Sequence, residues 1–149
     1  MLVGMMRRTW MIAAALTAAM AMAFLCAQEA PPETTAKKLT PEELKALVSG
    51  STKYFFLDVR EPKELEELGT LAGYVNIPLG ELEKRLSEIP RDALVVVACN
   101  RAVRAAKGAA ILEKAGYKQL HICALNEYKE KGYAMVYPKA PAPAKPESK

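Results

Sequence analysis

From Leu39 onward, short apolar runs alternate with amphipathic stretches, and glycine or proline stands at most of the joins. Tyr54-Phe55-Phe56-Leu57-Asp58-Val59 is nearly continuous in apolar residues and rich in aromatic and β-branched ones. That pattern predicts a strand buried on both faces, the kind found in parallel sheets. Residues 93–98 give a clearer strand still, and it runs directly into Cys99. Two further short strands are predicted over 74–77, stopped by Pro78, and over 120–123. Between them lie the helices. Thr40, Pro41 and Glu43 mark a helix start as N-cap, first helical residue and capping-box acid, and Leu39 and Leu44 occupy the hydrophobic-staple positions. That helix runs to about Val48 and stops at Gly50. Residues 62–68 predict a turn or short helix ended by Gly69, while Leu79, Leu82, Leu86 and Ile89 recur at helical spacing up to Pro90. Residues 102–114 and 125–131 predict two more helices, closed by Gly116 and Gly132. Strands alternating with helices in this way imply an α/β fold: a central parallel sheet with helices on both faces.

The two ends of the 149-residue chain do not share this pattern. Residues 1–27 open with Arg7-Arg8 and no acid, continue through an apolar run from Thr9 to Cys26, and exit through small residues ending at Ala27. This is the layout of a secretory signal peptide, or of a retained N-terminal membrane anchor. Cys26 as a lipid-bearing residue is a further alternative. In each case the expected location is outside the cytoplasm: periplasmic, or attached to the outer side of the cytoplasmic membrane. Residues 28–38 read as a polar linker, 39–137 as one domain, and 138–149 as a disordered Pro/Ala/Lys tail. The formal charge of +4 falls to +2 once residues 1–27, with two arginines and no acid, are removed. So mild a balance gives no reason to expect nucleic acid as a partner, and the membrane enters only through the N-terminal segment.

Cys99 stands where the clearest strand meets a helix start. In open α/β sheets ligands bind outside the carboxyl ends of strands, and the free N–H groups of a helix N-terminus favour an anion. Such a place favours the thiolate. Arg101 and Arg104 add positive charge within a few residues, so the segment from Cys99 through Asn100, Arg101, Ala102 and Val103 to Arg104 forms a candidate cradle for a thiolate and an anionic substrate. The single histidine, His121, lies in a predicted strand without partners at metal-ligand spacing and reads as structural; no metal or organic cofactor is expected. Cys123 ends a strand at the sheet edge that also carries Cys99, which makes it an inert core thiol or a candidate resolving thiol for Cys99.

Residues 40–135 resemble the rhodanese family. The markers stand in order: Leu57-Asp58-Val59-Arg60-Glu61-Pro62, then Gly69-Thr70-Leu71-Ala72-Gly73-Tyr74-Val75-Asn76-Ile77-Pro78, then Val96-Val97-Ala98-Cys99, and then the helix exit at Ala115-Gly116-Tyr117. The resemblance implies a rhodanese-like fold and a sulfurtransferase. The cysteine at the position of Cys99 takes the outer sulfur of thiosulfate or a polysulfide as a persulfide and gives it to a thiol or cyanide. It implies that loop N–H groups stabilise the persulfide, that Arg104 holds the anionic donor, and that Asp58 and Arg60 position the loop, with Arg60 a secondary candidate for substrate contact. The six residues from Cys99 to Arg104 suit a sulfur atom, where the related phosphatases have a loop one residue longer. Four features depart from the family pattern: Ala102 in place of glycine, Ala105 in place of a hydroxyl residue, Thr70 in place of histidine, and Cys123-Ala124-Leu125 where a Gly-Gly turn is expected. These departures leave a second reading open, a sulfur-carrier or protein-binding module that hands its sulfur only to a dedicated protein. Thiol-disulfide exchange through Cys99 and Cys123 is a third, disfavoured by the lack of a Cys-x-x-Cys pair.

Overall fold

A computed structural model describes residues 33–139; the proposed signal or anchor with Cys26, the start of the linker and residues 140–149 of the tail lie outside the described residues. Five strands form one sheet in the order β1-β5-β4-β2-β3, and every pairing between them is parallel. They are β1 (Lys37–Lys38), β2 (Tyr54–Asp58), β3 (Tyr74–Asn76), β4 (Leu94–Cys99) and β5 (Leu120–Ala124). The helices are α1 (Pro41–Ser49), α2 (Pro62–Leu68), α3 (Val103–Lys114) and α4 (Leu125–Glu130).

The central strand β4 is apolar throughout because it is covered twice. Its side chains alternate between faces. Val95, Val97 and Cys99 join a core with Ala105, Ala109 and Leu112 of α3. Val96 and Ala98 join a second core with Leu44 of α1 and with Leu125 and Tyr128 of α4. Gly108 lets α3 come down onto the sheet, since a Cβ there would meet Val97 Cγ1 at 3.2 Å and Val59 and Leu82 at 3.4 Å. This close approach sets the height of the α3 N-terminus over the end of β4.

The start of α1 has the reciprocal capping box between Thr40 and Glu43. Two segments differ from expectation. Residues 79–88 carry two 3-10 helices, Leu79–Lys84 and Leu86–Glu88, instead of one α-helix. Leu79 and Leu82, like Leu86 and Ile89, are three residues apart, a spacing the 3-10 repeat satisfies as well as the α-helical one. Part of the expected linker is docked: Lys37 and Lys38 pair with His121 and Ile122, and Thr34 and Thr35 hydrogen-bond Glu113. Two lysines give no apolar signal; the strand forms because the edge of β5 offers unpaired backbone groups.

Candidate active site

Cys99 is the last residue of β4, and its side chain is only 2% exposed. The chain then leaves the sheet through Asn100 and Arg101 and turns at Ala102, which has φ 64° and ψ −9°. This is the left-handed region, where a Cβ is strained by about 1–2 kcal/mol. The turn starts α3 so that the Ala105 N–H meets the thiol. Ala102 is the N-cap and has no side-chain acceptor, so the Ala105 N–H, at the third helical position, donates to Cys99 Sγ at 3.3 Å. The sulfur thus occupies the place of an N-cap oxygen.

A chain of polar groups, buried at Asp58, Arg60 and Thr70 and half-buried beyond them, holds the loop from below. Arg60 is fully buried and donates through Nε and Nη2 to the two oxygens of Asp58 at 2.9 and 2.6 Å, and through Nη2 to the Gly69 carbonyl at 2.8 Å. Its Nη1 donates to Asn100 Oδ1 at 2.7 Å. Thr70, where the family pattern has histidine, donates its hydroxyl proton to Asp58 Oδ2 at 2.8 Å. The Asn100 amide then donates from Nδ2 to Glu64 Oε1 at 3.0 Å. Glu64 in turn grips Arg104 with both oxygens, at 2.6 and 2.7 Å. The Arg104 guanidinium holds the Glu64 carboxyl down at about 2, well below its ordinary 4.5. On the far side of the loop, the Asn126 N–H of α4 donates to the Asn100 carbonyl at 3.1 Å.

Above the thiol lies an open cavity of about 420 Å3, lined by Cys99, Asn100, Arg101, Val103, Arg104 and Asn126. Five of these are the sequence candidates from the loop; Asn126 and the neighbouring Glu64 had no signal that singled them out. Three expectations need correction. Arg60 does not reach the cavity, because its guanidinium is spent on Asp58, Gly69 and Asn100 inside the fold. Ala102 does not line the cavity either; its methyl sits in the core beneath the loop and its backbone makes the turn. Cys123 cannot resolve Cys99 in this fold. The register pairs Cys99 with Ala124 and Cys123 with Ala98, so the two thiols point from opposite faces of the sheet, one into each core. Burial also pushes the Cys123 thiol strongly upward, towards the neutral form.

The Rhodanese-like domain model matches residues 40–127. The chain is 40% identical over 85 residues to the uncharacterized protein YqhL of Bacillus subtilis (strain 168), covering 57% of this chain and 64% of that protein. It is 32% identical over 83 residues to the putative sulfur carrier protein YrkF of the same organism, covering 56% of this chain and 44% of that protein. The matches thus span less than two thirds of either relative. Among solved structures, the single-domain sulfurtransferase RDL2 of Saccharomyces cerevisiae superposes with a TM-score of 0.57 at 28% identity, over 70% of this chain and 98% of that one. With the family model matched across most of the sheet and the whole of the Cys99 loop, the chain belongs to the rhodanese-like domain family.

Proposed function

We propose that the domain is a sulfurtransferase that moves sulfane sulfur from an anionic donor, thiosulfate or a polysulfide, to a thiol or cyanide through a Cys99 persulfide. The observation that carries this reading is the placement of Cys99 Sγ against the N-terminus of α3, accepting from Ala105 N–H, at the floor of an open cavity that also holds Arg101. In the first half-reaction the Cys99 thiolate attacks the outer sulfur of thiosulfate; an S–S bond forms, and sulfite leaves with the electron pair of the broken bond. In the second, cyanide attacks the outer persulfide sulfur, thiocyanate leaves and the thiolate returns. The outer sulfur carries the negative charge between the halves, and first-turn N–H groups of α3, which have no intrahelical acceptor, are the groups available to stabilise it. Arg101 supplies the attraction for an anion approaching from solvent. The reaction takes place outside the cytoplasm in this proposal, because residues 1–27 have the layout of an export signal or anchor; cell fractionation tests that part.

Intact-mass measurement of the purified protein after incubation with thiosulfate or polysulfide, beside Cys99→Ser, tests the chemistry. A gain of one sulfur that requires Cys99 and disappears on adding cyanide supports the reading. A folded, reduced protein that takes up no sulfur from either donor refutes it. The carrier reading is favoured by one observation, the 58% exposure of Val103 at the cavity mouth, which offers a contact to a protein acceptor. It predicts loading without steady turnover on free cyanide.

A further inference from the structure

Two cations line the cavity above Cys99, and they are not equivalent. Arg104 is clamped by both oxygens of Glu64, so its charge is matched at 2.6 Å by an opposite one. Glu64 itself is fixed by two more donors, Asn100 Nδ2 and the Glu61 N–H. Arg101 is exposed and makes no ion pair with a carboxylate among the described residues. An incoming anion therefore meets about one unit of uncompensated positive charge. A dianion needs more than that to offset the loss of its hydration, because taking charge out of water is costly unless it is matched. Beside Arg101, Val103 leaves 58% of its surface open at the cavity mouth. Exposed apolar area next to one cation that has no ion pair among the described residues, in a cavity of about 420 Å3, is more space and less charge than a small inorganic dianion calls for.

We infer that the Glu64 clamp and the Val103 rim tune this site for monoanionic sulfane donors with an apolar body, of the type R–SO2–S⁻ or R–S–S⁻, over the thiosulfate dianion. The inference rests on the sulfurtransferase reading above and deepens it. The reaction balances as before: with R–SO2–S⁻, the Cys99 thiolate takes the outer sulfur, the sulfinate R–SO2⁻ leaves with the bonding pair, and charge is conserved at two negative units on each side. Glu64 is a positioning residue here, since it acts through Arg104 and does not line the cavity.

The test uses three donors on the full-length protein: thiosulfate, methanethiosulfonate and benzenethiosulfonate, with cyanide as acceptor. Each kcat/KM is divided by that donor's rate constant with free 2-mercaptoethanol thiolate, which removes differences in leaving group. The expected order is benzenethiosulfonate, then methanethiosulfonate, then thiosulfate, with about tenfold or more between first and last. Glu64→Gln should raise thiosulfate at least about threefold relative to methanethiosulfonate, through KM more than kcat, because one unit of positive charge is released. Val103→Ser, at a position 58% exposed, should lower benzenethiosulfonate relative to methanethiosulfonate by about threefold to tenfold. That is the size expected from losing roughly one buried aliphatic contact. Normalised thiosulfate at or above the two monoanions in the wild type overturns the inference while leaving the sulfurtransferase intact. Unchanged ratios in both variants also overturn it. Failure of every donor to load Cys99 instead overturns the sulfurtransferase reading on which it stands.

Discussion

Arg60 is the strut under the reactive loop, and its removal should unfold much of what it supports. Replacing Arg60 with Met keeps the volume but deletes four side-chain hydrogen bonds: two to Asp58, one to Gly69 and one to Asn100. Asp58, with no exposed surface, keeps only the Thr70 hydroxyl and the backbone N–H of residue 60 as donors. Breaking a buried pair by removing one partner costs about 3–5 kcal/mol, because the remaining charge is uncompensated. A domain of this size has only about 5–15 kcal/mol in total. Urea unfolding followed by far-UV circular dichroism should show a midpoint lowered by about 2 M for a slope of about 2 kcal/mol/M. Replacing both partners, as Asp58→Leu with Arg60→Met, should recover much of that loss, since no buried charge is left behind. Persulfide loading should not recover in the double variant, because Asn100 has still lost its anchor. A loss under about 1 kcal/mol in the single variant, or full loading in the double one, would refute the strut. The first result would also reopen a direct role for Arg60 at the substrate, and the second would exclude one.

Three further outcomes are expected. The Glu64 carboxyl is depressed in the folded state, so its ion pair stabilises the fold above about pH 4.5 and the contribution is lost as pH falls through about 2. The shift is nominally about 3 kcal/mol at 1.4 per unit, and about 1–2 after allowance for solvent at this half-open pair. Unfolding curves of wild type and Glu64→Gln should therefore converge toward pH 2, and a constant gap from pH 7 downward would contradict this. Cys99 and Cys123 should both alkylate in denaturant after diamide treatment of the native protein, because they face opposite sides of the sheet; a loss of two hydrogens by intact mass between these residues refutes the register. Ala102→Gly should change stability by less than about 1 kcal/mol: relief of about 1–2 kcal/mol of left-handed strain is offset by about 0.8 for the buried methyl and about 0.4–1 for glycine's freedom when unfolded. A shift beyond about 2 kcal/mol in either direction by chemical denaturation would show that the turn is strained differently.

What could be read in the chain was what depends on local pattern. The apolar run of β4 and the helix that follows it put Cys99 at a strand-to-helix turn without any knowledge of neighbours. Thr40, Pro41 and Glu43 located the α1 start because a capping box is closed within four residues. The facing of Cys123 was not readable. It depends on the β4–β5 register, and a slip of one residue would bring it to the face that carries Cys99. Arg60 was named as a positioning residue only through the family resemblance, and its burial was not readable from the residues alone. An arginine after a strand is ordinarily solvated, and only the convergence of Asp58, Gly69 and Asn100 gives it enough acceptors to be buried. Glu64 sits in an acidic helix among Glu61, Glu66 and Glu67, where a solvated face is the economical reading, and its partner Arg104 is 40 residues away.

That hidden acid changes what the loop can be said to do. The six residues from Cys99 to Arg104 look, in sequence, like a sulfur nucleophile with two nearby arginines, of which the family resemblance gives Arg104 the anionic donor. In the folded protein Arg104 is part of the frame, while Arg101 lines the cavity with no ion pair to a carboxylate among the described residues. A clamped Arg104 costs the site attraction for anions but fixes the first turn of α3, and with it the Ala105 N–H that meets the sulfur. Preorganised donors stabilise a charge without reorganising at the moment it forms. Rigidity at the sulfur and weak attraction at the mouth are therefore two consequences of one contact. A donor that brings its own apolar binding surface loses least by that exchange.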